Sequence, residues 1–267
     1  MRPVAEFVNV DWSGCSVRLE YQWIAPERTS APLIIFLHEG LGSLSMWRDF
    51  PQQLCDAVGA QGLVYSRPGY GQSMPRAADE VWGSDFMHQQ AHIVLPALLK
   101  ALGIDAQAAP PWLLGHSDGG SIALLYAAQF PRSVAGLIVL APHIMVEDVT
   151  VANIAKARTA YETTDLPQRL AKHHAEPDSA FWGWNRVWLS PEFRSWSIEN
   201  ELPAITCPVL AIQGLDDEYG TVQQVHGIVQ RVPQTKVLEI PQCGHSPHRD
   251  APQQVINATF HCIHTHH

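Results

Sequence analysis

The sequence predicts an α/β fold, with a parallel sheet covered by helices on both faces. Three observations carry this. Short β-rich runs alternate with helical patterns along the chain. The strand-like runs are apolar nearly throughout, as strands buried on both faces are. The residues best suited to chemistry fall just beyond the ends of those runs, where parallel sheets place their ligands.

In chain order, the first such run is LIIFL at 33–37, followed by HEGLGS and a helical stretch around Trp47–Val58. GLVYS at 62–66 leads into RPGYGQS. Ser84–Leu102 has helical spacing, a kink expected at Pro96, and Gly103 as its C-cap. PWLLG at 111–115 leads into HSDGG and the helical run SIALLYAAQF. VAGLIVLAP at 134–142 is another buried strand, and CPVLAIQG at 207–214 and TKVLEI at 235–240 resume the pattern. A short buried strand and a buried helical turn share the same periodicity, so run length and flanking Gly and Pro decide each assignment.

The interval 143–203 has no strand-like run and holds Trp182, Trp184, Trp188 and Trp196, four of the nine tryptophans. It reads as a helical insertion between two strands. The organisation expected is therefore a core of 1–142 and 204–267 with a cap of 143–203. The tail HCIHTHH reads as a frayed terminus rather than a metal site.

Bulk properties narrow the classes of function. The 267 residues suit one large domain, and 46% hydrophobic with 16% charged residues excludes long disorder. A formal net charge of -9 with mixed signs argues against a nucleic-acid partner. Five scattered cysteines without a CxxC pair indicate neither a zinc site nor a disulfide framework. With no signal-peptide pattern and no apolar run of spanning length, a reducing, cytoplasmic setting without membrane attachment is expected.

Gly115-His116-Ser117-Asp118-Gly119 matches G-x-S-x-G between a predicted strand and a predicted helix. Such a turn strains the serine backbone and brings its neighbours close, which favours glycine on either side. It also sets the hydroxyl at a helix N-terminus, where free N–H groups favour negative charge. A serine needs a base, and the base needs an orienting acid. His245, in CGHSPH, and Asp217, in QGLDDEYG, follow the last two predicted strands. Asp216 is the rival acid, because only one of two adjacent carboxylates can face the histidine. The order Ser, Asp, His differs from the chymotrypsin and subtilisin orders.

LHEGLGS, SRPGYGQS, GHSDGG, QGLDDEYG and CGHSPH together resemble the α/β-hydrolase superfamily over nearly the whole chain. The GHSDGG form is similar to the valacyclovir-hydrolase-like and related carboxylesterase branch. The resemblance implies an eight-stranded, mostly parallel sheet with a helical cap after the sixth strand. It selects Asp217 as the acid, the third residue after Gly214. Aligning HEGLGS with the family's loop implies backbone donors at Gly40 and Asp118 for an oxyanion, with Leu41 as the alternative to Gly40.

Glu39 departs from the family pattern, standing where glycine is common. Its carboxylate is expected to point away from the oxyanion and to pair with Arg67. His143, Trp182, Trp184 and Trp188 are expected to line an apolar pocket. His116 reads as packing beside the turn, His248 as a weaker rival to His245 that supports its loop, and His88 with His92 as a partly exposed helix face. The Asp118 side chain has two readings: a local cap, or negative potential that favours substrates bearing an ammonium group.

The function expected is a serine hydrolase of small carboxylic esters, with a small-molecule ester as partner and no metal or organic cofactor. A carbon–carbon bond hydrolase of the meta-cleavage-product type, an acyltransferase and a non-catalytic ligand-binding member are the alternatives.

Overall fold

The computed structural model describes residues 5–77 and 79–265. Its sheet has eight strands: β1 (Glu6–Trp12), β2 (Cys15–Ile24), β3 (Leu33–Leu37), β4 (Gln61–Tyr65), β5 (Trp112–His116), β6 (Gly136–Leu140), β7 (Val209–Gly214) and β8 (Thr235–Ile240). Their spatial order is β1-β2-β4-β3-β5-β6-β7-β8. The β1–β2 and β2–β4 pairings are antiparallel, and all others are parallel.

Successive strand residues point to opposite faces, and the core divides accordingly. Ile35, Leu37, Leu113, Leu137, Val139 and Ala211 belong to one buried cluster. Their neighbours Ile34, Phe36, Leu114, Ile138, Leu140 and Ile212 belong to the other. Helices α1 (Phe50–Val58) and α10 (Pro252–Thr265), the latter preceded by the short α9 (Pro247–Asp250), cover the second face through Leu54, Val58, Ile256 and Ile263. The first face is covered by α3 (Leu95–Ala101), α4 (Asp118–Gln129) and α8 (Gln223–Arg231) through Leu98, Ile122 and Ile228.

The expected single helix over Ser84–Leu102 is divided. A short α2 (Phe86–Gln89) widens into a π-helical stretch, Gln90–Val94, before α3. Pro96 has no N–H to give to the preceding turn, and the chain widens just before it. Gly103 ends the helix as expected, at φ 69°, with Ile104 N–H bonded to Leu99 O at 2.9 Å.

Between β6 and β7 lie α5 (Asp148–Thr163), α6 (Leu166–Leu170), α7 (Pro177–Trp188) and two 3-10 turns, Glu192–Ser195 and Leu202–Ala204. The tail corrects the reading of a frayed terminus. Helix α10 runs through Thr265, with Cys262 and Ile263 buried. His266 and His267 lie outside the described residues.

Strand order reverses at β3: β4 lies on one side and β5 on the other. The connections leaving β3 and β5 therefore diverge, which opens a crevice at their C-terminal ends. The loop holding Glu39 and Gly40 borders this crevice from β3, and Ser117 borders it from β5.

Candidate active site

Ser117 sits between the last residue of β5 and the first of α4, at φ 53° and ψ -121°. That left-handed conformation is strained for a residue with a side chain. The flanking glycines make it possible. A Cβ on Gly115 would lie 2.1 Å from the carbonyl oxygen of Gly119. A Cβ on Gly119 would lie 2.1 Å from the carbonyl oxygen of Leu37. The turn is pinned by Ser117 N–H donating to Leu140 O at 2.9 Å.

His245 meets this serine from the loop after β8. Its Nε2 lies 2.9 Å from Ser117 Oγ, and its Nδ1 lies 2.9 Å from each carboxylate oxygen of Asp217. Asp217 also accepts bonds from Tyr219 N–H at 2.7 Å and Gln213 Nε2 at 2.7 Å. Burial pushes the Asp217 pKa up, but the hydrogen bond and charge of His245 and the Tyr219 N–H hold it below its ordinary value. The ionised acid keeps the proton of His245 on Nδ1, so the Nε2 lone pair faces the serine hydroxyl. Asp216 is exposed, and among the described residues its carboxylate makes no ion pair with a histidine, whereas Asp217 does. The structure thus brings Ser117, Asp217 and His245 into one hydrogen-bonded line.

The Asp118 N–H opens α4, and Gly40 and Leu41 lie in the loop after β3. Among the described residues, no protein acceptor meets these three N–H groups. The loop's carbonyls are held elsewhere. Glu39 O accepts from Arg67 Nη2 at 2.8 Å, and Leu41 O lies 3.0 Å from His174 Nε2. Donors left free beside a serine at a helix N-terminus are what a developing oxyanion requires.

A cavity of about 160 Å³ opens over Ser117. Its lining includes Gly40, Leu41, Asp118, His143, Trp184, Trp188 and Tyr219. Trp182 is a correction, for it is not in that lining. Trp184 and Trp188 are four apart on α7 and share a face, whereas Trp182 lies about half a turn away. Its ring packs instead against Tyr161 and Phe181, under the guanidinium groups of Arg158 and Arg186. His143 is buried beside the Trp188 ring, 5.1 Å between centres. Burial, reinforced by the charge of His245, pushes its pKa down to about 3, so it is neutral at ordinary pH.

The Asp118 carboxylate is buried. Its Oδ1 accepts from Trp188 Nε1 at 3.2 Å, while Oδ2 has no hydrogen-bond partner among the described residues. Burial raises its pKa to about 6, opposed by Arg67, Trp188 and His245.

The expected Glu39–Arg67 ion pair is also corrected. The buried Arg67 guanidinium bonds to the backbone carbonyl of Glu39 and stacks 4.7 Å from the Tyr70 ring centre. The Glu39 carboxylate turns instead to His116 Nδ1 at 3.4 Å and Arg249 Nη2 at 3.7 Å. Sequence spacing gave no sign of this, because Glu39, His116 and Arg249 are distant in the chain. His88 approaches Glu201 at 3.5 Å. Among the described residues, no group of three or more His, Cys, Asp or Glu side chains is placed to hold a metal. No helix among them is long and apolar enough to cross a membrane.

A serine on a strained strand-to-helix turn, in an eight-stranded mostly parallel sheet, defines a class. Residues 34–258 match the alpha/beta hydrolase family, and the chain belongs to it. Among curated proteins, it is similar to the monoglyceride lipase of Homo sapiens, 25% identical over 255 residues, covering 86% of this chain and 80% of that one. It is also similar to the 2-hydroxy-6-oxo-6-phenylhexa-2,4-dienoate hydrolase of Burkholderia cepacia, 23% identical over 270 residues and 90% of each chain. Among solved structures, a thermophilic esterase from Thermogutta terrifontis shares the fold with a TM-score of 0.74, at 18% identity over 99% of both chains. The enol-lactonase from Burkholderia xenovorans LB400 does so with a TM-score of 0.72, at 20% identity over 96% of this chain and 99% of that one.

Proposed function

We propose that the chain is a serine hydrolase of small carboxylic esters. The observation that carries this reading is the hydrogen-bonded line from Ser117 Oγ through His245 to Asp217. Ser117 attacks the ester carbonyl while His245 Nε2 takes the hydroxyl proton. The N–H groups of Asp118 and Gly40 receive the oxyanion. His245 then gives the proton to the departing alcohol, and an acyl-enzyme remains on Ser117. Water enters, loses a proton to His245 and attacks the acyl carbon. Collapse of that intermediate returns the proton to Ser117 and releases the acid. Asp217 keeps the imidazole in the required tautomer and stabilises its cationic form. No step calls for a cofactor.

Residues 143–203 act in this reading as a cap, with Trp184 and Trp188 of α7 walling the acyl site. A cavity of about 160 Å³ favours short acyl groups. The lipase and esterase names among the similar proteins support ester chemistry.

The test is a panel of esters of increasing acyl length, run on wild type and Ser117→Ala. Short esters should turn over fastest, and the variant should lose about 10⁴-fold or more in kcat. A wild type inert toward every ester but active on a dienoate would replace this reading with carbon–carbon bond hydrolysis.

A further inference from the structure

His116 takes no part in the chemistry proposed above, yet its side chain is 1% exposed. Both of its ring nitrogens face oxygen. Nε2 lies 2.6 Å from the backbone carbonyl oxygen of His245, and Nδ1 lies 3.4 Å from Glu39 Oε2. A carbonyl oxygen can only accept, so Nε2 carries a hydrogen. In a neutral ring Nδ1 would then present a lone pair to the carboxylate, and the two would repel. With Glu39 ionised, the contact is attractive only when Nδ1 is protonated as well.

Several groups keep Glu39 ionised. Burial pushes its pKa up, but the hydrogen bond and charge of His116, then His248 and Arg249, hold it well below the ordinary value. The side chain folds back over its own turn, closed by Gly42 N–H donating to Glu39 O at 3.1 Å. Gly42 leaves room for it, since a Cβ there would lie 2.5 Å from Glu39 Oε2.

We infer that Glu39 and His116 form a charged clamp that fixes the main chain of His245 against the loop carrying Gly40. Three segments meet in it. Glu39 comes from the loop after β3, His116 ends β5, and His245 and Arg249 follow β8. The carbonyl of His245 is held by His116, and its N–H donates to Glu218 Oε2 at 3.3 Å. The base is thus held at both its main-chain N–H and its main-chain carbonyl. His116 and Glu39 are positioning residues, and this role rests on the reading of Ser117 and His245 as nucleophile and base. The other titratable groups facing the clamp are His245, with ring centres 5.2 Å apart, His248 at 4.8 Å, His143 and Arg249.

The clamp also accounts for an acidic residue beside an anion-binding loop. An unpaired Glu39 carboxylate would oppose a developing oxyanion. Paired with an imidazolium and approached by Arg249, its charge is compensated where it stands.

The test is ¹⁵N NMR of the histidine rings in the intact protein at pH 7, with the His116 signals assigned by their loss in His116→Gln. Wild type should show His116 protonated on both nitrogens. Glu39→Gln should show it protonated on Nε2 alone, because a carboxamide can donate to a neutral Nδ1. A neutral His116 in wild type overturns the clamp. In parallel, Glu39→Ala should lower kcat by roughly tenfold to a hundredfold with little change in KM, as a displaced base does. Glu39→Gln should recover most of that loss. Wild-type kcat in a folded Glu39→Ala removes the positioning role. If Ser117→Ala keeps esterase activity, the underlying mechanism has failed, whereas the ring protonation stands or falls on the NMR alone.

Discussion

The indole of Trp184 covers Gly40 so closely that a Cβ on the glycine would lie 2.2 Å from Trp184 Nε1. Gly40 does not have a positive φ, so it is required here for space and not for backbone freedom. A helix between β6 and β7 thereby sets the position of the loop expected to bind the oxyanion. Gly40→Ala must displace either the loop or the indole. Its kcat/KM should fall about a hundredfold, in the range for a lost oxyanion donor or a misplaced substrate. Trp184→Leu in the same background should restore part of the loss. A double-mutant cycle on kcat/KM measures this, and additive effects would deny the contact its role.

Gly119 presents the same problem against backbone, which cannot yield as a side chain can. A Cβ there would lie 2.1 Å from Leu37 O, so Gly119→Ala forces α4 away from β3. The variant should lose about 3 kcal/mol or more of stability, the upper end for overpacking. Urea denaturation reads this directly, and a loss below about 1 kcal/mol would mean that the turn opens easily.

Asp118 gives a pH signature. With its pKa raised to about 6 by burial, it loses its charge as pH falls through that value. The ester pH–rate profile should carry an inflection there that Asp118→Asn removes. The variant keeps both the backbone N–H and an oxygen for Trp188 Nε1, so neutral-ester turnover should change less than about tenfold. A selective loss on α-amino esters would instead assign the carboxylate to binding an ammonium group.

Acid should destabilise the fold. Burial is the main cause that holds His143 at about 3, His174 at about 4, and His38 and His248 well below 6.5. Unfolded, each takes up a proton below about pH 6.5. Between that pH and the folded value the unfolded chain binds more protons, so stability is full above about 6.5 and lost on acidification. Each such group contributes up to about 1.4 kcal/mol per pH unit. Asp118 opposes this below about pH 6, while Glu39 and Asp217 add to the loss at lower pH. Differential scanning fluorimetry should therefore show a Tm that is level down to about pH 6.5 and falls from there to pH 5, and a profile flat throughout would place these rings in water.

The parallel strands were legible because burial on both faces writes them as continuous apolar runs. The residues at their C-terminal ends were legible because short motifs keep Ser117, Asp217 and His245 next to those runs. The β1–β2 hairpin was less legible, although Val8, Val10 and Trp12 alternate with polar residues ahead of the Ser13–Gly14 turn. One partly exposed edge ladder gives a weaker signal than a buried strand. The partners of Glu39 and the turning away of Trp182 were not legible. The first depends on which distant loops meet, and the second on the rotation of α7 about its axis. Both are set by packing between segments that share no local pattern.

The central claim is that Ser117 is the nucleophile, and covalent capture tests it most directly. The protein is treated with a fluorophosphonate, and the adduct is counted by intact mass and located by peptide mapping. The expected result is one phosphonate on Ser117, absent from Ser117→Ala together with the esterase activity. An adduct on another residue, or ester hydrolysis that survives in Ser117→Ala, would contradict it.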